Sequence, residues 1–237
     1  MKGSLMNQDF ADIPNCAAEI VRSGKWEAIG DSLRKHCLAG EEWWRQLLTS
    51  LYAQGSSEYR GLTSAYANVG SKDPPLLAWR ARNLLELCVW SRYCQSDRKA
   101  ARRLYEDGGR DVRDLYEKVL SFGKAGNFTG TTPPNWSDPF DKALQDLNGR
   151  AKAEGIDSLD GAPTLVSNAA GKCGIGEKYV LINKMLSKFV HPSALRMMGN
   201  SDAEHEKLQA ASFFNWGCLF FVGIYVSLDA QTRAQVA

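Results

Sequence analysis

The stretch PLLAWRARNLLELCVWSRYC, residues 75–94, decides the fold. Advancing about 100° per residue from Leu77 places Leu77, Ala81, Leu84, Leu85 and Cys88 on one face. A second face carries Trp79, Val89, Trp90 and Tyr93, with Arg82 and Glu86 four apart among them. Pro74 and Pro75 stand at the head, where proline suits the first turn of a helix. The pattern predicts one long helix with apolar side chains on more than one face, which a bundle interior requires.

The same period recurs outward in both directions. Trp26, Ile29, Leu33 and Cys37 step by three and four, as do Trp44, Leu47, Leu48, Leu51 and Tyr52 after a break at Gly40. Tyr59, Leu62 and Tyr66 mark a weaker helix ended by Gly70. Downstream, Ser96 and Asp97 read as the cap of a helix over roughly residues 98–122. Gly123, Gly126, Gly130, Pro133, Pro134 and Pro139 make residues 123–139 a loop. A polar amphipathic helix follows over roughly 140–154, then a glycine-rich irregular stretch over 155–176. The last two helices span roughly 177–190 and 202–228, the latter headed by the capping-box pair Ser201 and Glu204. No sustained period-two run occurs. The expectation is an all-α helical bundle in a single domain over 1–237. Peripheral helices occupy about 13–70, the bundle core about 74–229, and an apolar C-terminal helix lies at the centre.

Composition agrees with a globular chain. Hydrophobic residues make 44% of the 237 and charged residues 24%, so disorder is excluded as a general description. The net charge of +2, from 29 basic and 27 acidic side chains, leaves any basic surface local. The N-terminus has no apolar core of signal-peptide length. Leu208 to Leu228 has no charged residue and is long enough to cross a bilayer. Gln209, Ser212, Asn215 and Ser227 dilute that run and no basic cluster flanks it, so it reads as a core helix of a cytoplasmic protein. Cys16, Cys37, Cys88, Cys94, Cys173 and Cys218 form no C-x-x-C pair, which predicts free thiols, with no metal and no cofactor.

Three constellations can carry chemistry. Arg82 and Glu86 form an i,i+4 pair; such pairs are mostly solvated, but the surrounding aromatics predict a buried or pocket-lining pair, structural or part of a site. On the helix from Tyr179, residues Asn183, Ser187 and His191 follow at spacings of four, with Lys184 beside His191. Before Pro192, His191 ends the helix. It is either a general acid or base or a cap suited to the helix dipole. His36 and His205 sit among charges and read as solvent-facing. The basic run Arg98, Lys99, Arg102, Arg103, Arg110 and Arg113 interleaves with Glu106, Asp107, Asp111 and Asp114. It reads as a solvated face with internal ion pairs, with phosphate contact as the alternative. Gly171-Lys172 lacks the spacing of a phosphate loop, and no Gly-x-Ser-x-Gly elbow is present.

LLAWRARNLLELCVWSRYC, DRKAARRLYEDGGRDVRDLYE and INKMLSKFVHPSAL together resemble a family of uncharacterised helical bacterial proteins near the HEPN superfamily. The likeness covers residues 75–122 and 179–195, carried by Arg82, Glu86, Ser187, His191 and Pro192. It implies a HEPN-like bundle, often dimeric, and a toxin or antiviral-defence protein acting on RNA as a metal-independent ribonuclease. In that family four to six residues separate an arginine from the histidine that follows it; here Lys184 and Lys188 are the nearest cations. The resemblance then implies His191 as general base, Arg82 or Lys184 on the phosphorane charge, Glu86 orienting Arg82, and Ser187 holding the imidazole. The alternative is a non-catalytic binding or regulatory module with a structural Arg82–Glu86–His191 network.

Overall fold

The computed structural model describes residues 12–35, 42–67, 73–125, 137–191 and 202–236. Among them run nine helices and no strand: α1 (Ile13–Arg22), α2 (Lys25–Lys35), α3 (Glu42–Ala67), α4 (Pro74–Ser96), α5 (Arg98–Ala125), α6 (Asp138–Ala153), α7 (Val166–Lys172), α8 (Gly176–Val190) and α9 (Ala203–Val236). The all-α bundle expectation holds. The chain divides into two compact units, one from residues 1–98 with 166–237 and one from residues 99–165.

In the first unit α4 and α9 make the most extensive helix pair. α9 also packs on α1, α2 and α3, and α4 on α3, α7 and α8. α4 starts where Asp73 accepts from the Leu76 N–H at 3.3 Å, ahead of two prolines that need no donor. Leu77, Ala81, Leu84, Leu85 and Cys88 are all buried, as the wheel predicts. Val89 and Tyr93 on the second face are buried too.

Aromatic stacking sets the packing on α9. Phe221 is fully buried, with Tyr59 stacked on it at 3.9 Å between ring centroids and Trp26 at 4.7 Å. Tyr66 stacks on Phe214 at 4.0 Å. Glycines let the backbones approach. A Cβ at Gly217 would stand 2.4 Å from Leu62 Cδ2, and one at Gly223 would stand 2.6 Å from Cys88 Sγ. Among the described residues α9 is the one helix long and apolar enough to span a bilayer, and 50% of its apolar window is buried inside the protein.

Several elements differ from the sequence expectation. α3 is one continuous helix where two were expected, because Gly55 packs its backbone on the Trp26 ring instead of breaking the helix. α1 and α2 part at Gly24, whose φ of +74° favours glycine. α7 forms inside the stretch expected to be irregular and buries Ala169 and Ala170. α9 continues past Leu228 to Val236. At its head the Asp202 side chain accepts from the His205 N–H at 2.8 Å. Ser201, Gly40, Gly70, Cys37, His36 and most of the 123–139 loop lie outside the described residues.

The second unit is α5 from Lys99, α6 and the segment 154–165. Its small core joins Ala151, Ile156 and Leu159 to Tyr105 and Leu147. A Cβ at Gly109 would come within 2.9 Å of Leu159 Cδ2, so α5 lies close under the returning segment.

Two predictions follow from this packing. Gly217→Ala drives a methyl into fully buried Leu62, and urea unfolding should show a loss of about 1–3 kcal/mol; an unchanged midpoint would mean that α3 yields freely. Burial pushes the Cys88 thiol up to about 11 and the Cys94 and Cys218 thiols to about 12, from an ordinary 9.0. Between those values the unfolded chain holds fewer protons than the folded one, so stability falls as pH rises above 9. Cys218→Ala should flatten that decline in urea midpoints taken from pH 8 to about 11; parallel slopes would contradict the buried thiol.

Candidate functional site

α8 turns Tyr179 and Leu186 into the protein, with Asn183 between them half-buried. α4 meets that face with Arg82 and Glu86. Arg82 Nε donates to Asn183 Oδ1 at 3.0 Å, and Arg82 Nη2 lies 3.4 Å from Glu86 Oε1. The two charged side chains are 28% and 31% exposed, so the pair is half-buried and partly screened by solvent. Burial pushes the Tyr179 phenol up; Glu86 adds to this and Arg82 opposes it. Arg82 thus reaches Asn183 directly, and both charges of the α4 pair act on Tyr179 of α8.

His191 stands eight residues beyond Asn183, about 12 Å farther along the helix. It is exposed, and its backbone N–H donates to the Ser187 carbonyl at 3.2 Å, which makes it the C-cap of α8. Ser187 is half-buried and Lys184 is exposed. The structure thus brings together Arg82, Glu86 and Asn183, and among the described residues it gives His191 no side-chain bond to any of them. Pro192 lies outside the described residues. Sequence reasoning had Asn183 in the row leading to His191 but not as the partner of Arg82. The available signal was its place between Tyr179 and Leu186 on the inner face.

The basic run of α5 is engaged by its own chain. Arg102 Nη2 donates to the Glu154 carbonyl at 2.8 Å and Arg103 Nη2 to the Ala162 carbonyl at 3.1 Å. Arg110 reaches the Asp160 and Ser158 carbonyls, both at 3.3 Å, and Arg113 pairs with the Asp160 carboxylate. Asp107 lies 2.9 Å from Arg110 and 3.1 Å from Arg103, and it accepts from the Thr164 N–H at 2.9 Å. Asp107 and Arg110 are buried, at 2% and 7% exposure. The expected solvated face is therefore a clamp on residues 154–164, with ion pairs inside it. This geometry favours internal ties over phosphate contact.

Lys172 closes α7 with its ammonium 3.5 Å from the Tyr93 hydroxyl, away from any phosphate-loop geometry. The described cysteines are free, and among the described residues no three metal-ligating side chains gather. No family model matches the chain, and neither a curated protein nor a solved structure matches it.

Asp107→Ala would remove one of the two carboxylates paired with buried Arg110, the other being Glu106 at 3.3 Å, and leave the Thr164 N–H without its acceptor. The expected loss is about 1–3 kcal/mol from the second unit. Hydrogen exchange should show it as lost protection in residues 99–165, while protection in α4 and α9 persists; uniform loss across both units would refute a local clamp.

Proposed function

We propose that this chain is a non-catalytic helical binding or regulatory module, in which Arg82, Glu86 and Asn183 hold α8 against α4. One observation carries the reading: the Arg82 guanidinium is committed to Asn183 and Glu86. A general acid–base site needs its proton-transfer group within about 3 Å of the reacting atoms, or one water away. His191 caps a helix end two turns from that guanidinium.

A second reading keeps a HEPN-like bundle, with α9 as its apolar central helix and RNA as its target. It is favoured by the exposure of His191, the C-cap of α8, and of Lys184 two turns before it on the same helix. In this reading His191 is the general base and Lys184 the phosphate cation, with Ser187 beside them and a homodimer supplying the second half of the site. Both readings place the protein in the cytoplasm, with α9 as a core helix.

One set of variants separates them. Under the module reading, Arg82→Ala and Asn183→Ala each lower stability by about 1 kcal/mol, and a double-mutant cycle shows them coupled. Metal-free incubation with RNA leaves the RNA intact. RNA cleavage by the wild type that disappears in His191→Ala would overturn the module and establish the ribonuclease.

A further inference from the structure

The first unit holds a second polar feature, remote in sequence from the α4–α8 seam. An open cleft of about 420 Å³ lies between α2 and the end of α9. Its walls include Lys25, Ile29 and Ser32 from α2, with Asp229, Thr232 and Arg233 from α9. The volume falls within the range of small-ligand clefts.

Its charge is asymmetric. Arg233 grips Asp229 through two contacts, Nε to Oδ1 at 3.0 Å and Nη2 to Oδ2 at 2.9 Å. That pair is internally neutral. Lys25 is exposed, and among the described residues its ammonium makes no hydrogen bond or ion pair. The other acids of α2 point elsewhere: Glu27 lies about 200° around the helix from Lys25, and Asp31 pairs with Arg34. The cleft therefore carries one uncompensated positive charge.

Its apolar floor is the exposed Ala28 methyl, over Ile29 and Thr232. Ile29 is 2% exposed and Thr232 4% exposed. The Thr232 hydroxyl donates to the Leu228 carbonyl at 3.1 Å, so its proton is not offered to a ligand. Ser32, half-buried beside Ile29, supplies a hydroxyl one helical turn beyond it. One cation, one hydroxyl and an apolar floor suit a ligand with a single anionic group on an apolar body. A bare, strongly hydrated anion would cover none of the apolar surface, and a neutral body would leave Lys25 unmatched.

We propose that the α2–α9 cleft is a binding site for a small organic monoanion, its carboxylate-like group on Lys25 and Ser32 and its apolar body on Ala28. This stands independently of the reading of Arg82 and His191. The test is calorimetric or NMR titration of the full chain with benzoate, its neutral isostere benzamide, and inorganic phosphate at fixed ionic strength. Benzoate should bind, shift resonances of residues 25–32 and 229–233, and outcompete both comparators. Lys25→Gln, a surface change that leaves packing intact, should weaken benzoate about threefold. Ser32→Trp, checked for a native melting curve, should block the cleft and abolish binding. Absence of benzoate binding, equal binding of benzamide or phosphate, or indifference to Lys25→Gln would each overturn the proposal.

Discussion

The first unit depends on how closely α9 can approach its neighbours. Apolar side chains attract without direction, so a helix as apolar as α9 needs shape to fix its seat. Gly217 and Gly223 provide that shape. Each admits a single side chain from a facing helix, Leu62 of α3 and Cys88 of α4. Phe221 lies between them in sequence and carries the Tyr59 and Trp26 rings. Once α9 is seated this way, α4 is enclosed by α3, α7, α8 and α9. Its enclosed arginines then find protein partners, although the Ser91 hydroxyl finds none among the described residues. Arg80 finds Glu58 of α3 at 2.9 Å, and Arg82 finds Asn183 of α8. Gln231 of α9 donates to the Ser91 carbonyl of α4 at 3.3 Å. The polar ties between helices are consequences of apolar enclosure.

In the second unit the order of cause is reversed. Residues 156–165 contain no helix and no strand, so their carbonyls have no regular ladder to satisfy them. α5 supplies the missing donors from a row of arginines. The planar guanidinium, with five fixed donors, can bridge a carbonyl and a carboxylate at once, which an ammonium does less well. Arg110 does this with Asp107 and the Ser158 and Asp160 carbonyls. The small core of Ala151, Ile156 and Leu159 could not fix that segment alone.

How much of this could be read beforehand depends on the range of the cause. Period and wheel revealed α4, because its burial follows from residues one and two turns apart. They also revealed the helical class, because the residues show no sustained two-residue alternation. They failed where the deciding partner is distant in sequence. The helix around Tyr59, Leu62 and Tyr66 reads as separate from the one before it until Gly55 is known to pack on Trp26 within one continuous helix. Residues 166–172 read as irregular because alanine and glycine carry no amphipathic signal, yet α7 is held by burying two alanines. The basic run reads as solvated because the carbonyls it binds lie about fifty residues away in sequence. At the candidate site the Arg82–Glu86 pair was legible because it is local, and Asn183 was not because it is a hundred residues distant.

The half-burial of that seam bears on what it does. A partly solvated ion pair adds little to stability, so its effect is better sought in register. The inner face of α8 repeats apolar groups at Tyr179, Leu186 and Val190, and apolar contact alone tolerates a slip of one turn along α4. Such a slip would set Ser187 or Tyr179 opposite Arg82 in place of Asn183. Ser187 offers a shorter side chain than the amide. Tyr179 offers a phenol that would have to leave the interior, where it is 6% exposed. Asn183 alone of the three presents a carbonyl oxygen at the reach of a guanidinium, here 3.0 Å. A buried polar tie that specifies one alignment among several apolar ones is the best-attested use of such groups. On the proposed reading, the Arg82–Asn183 bond fixes where α8 stops on α4, and with it the positions of Lys184, Ser187 and His191.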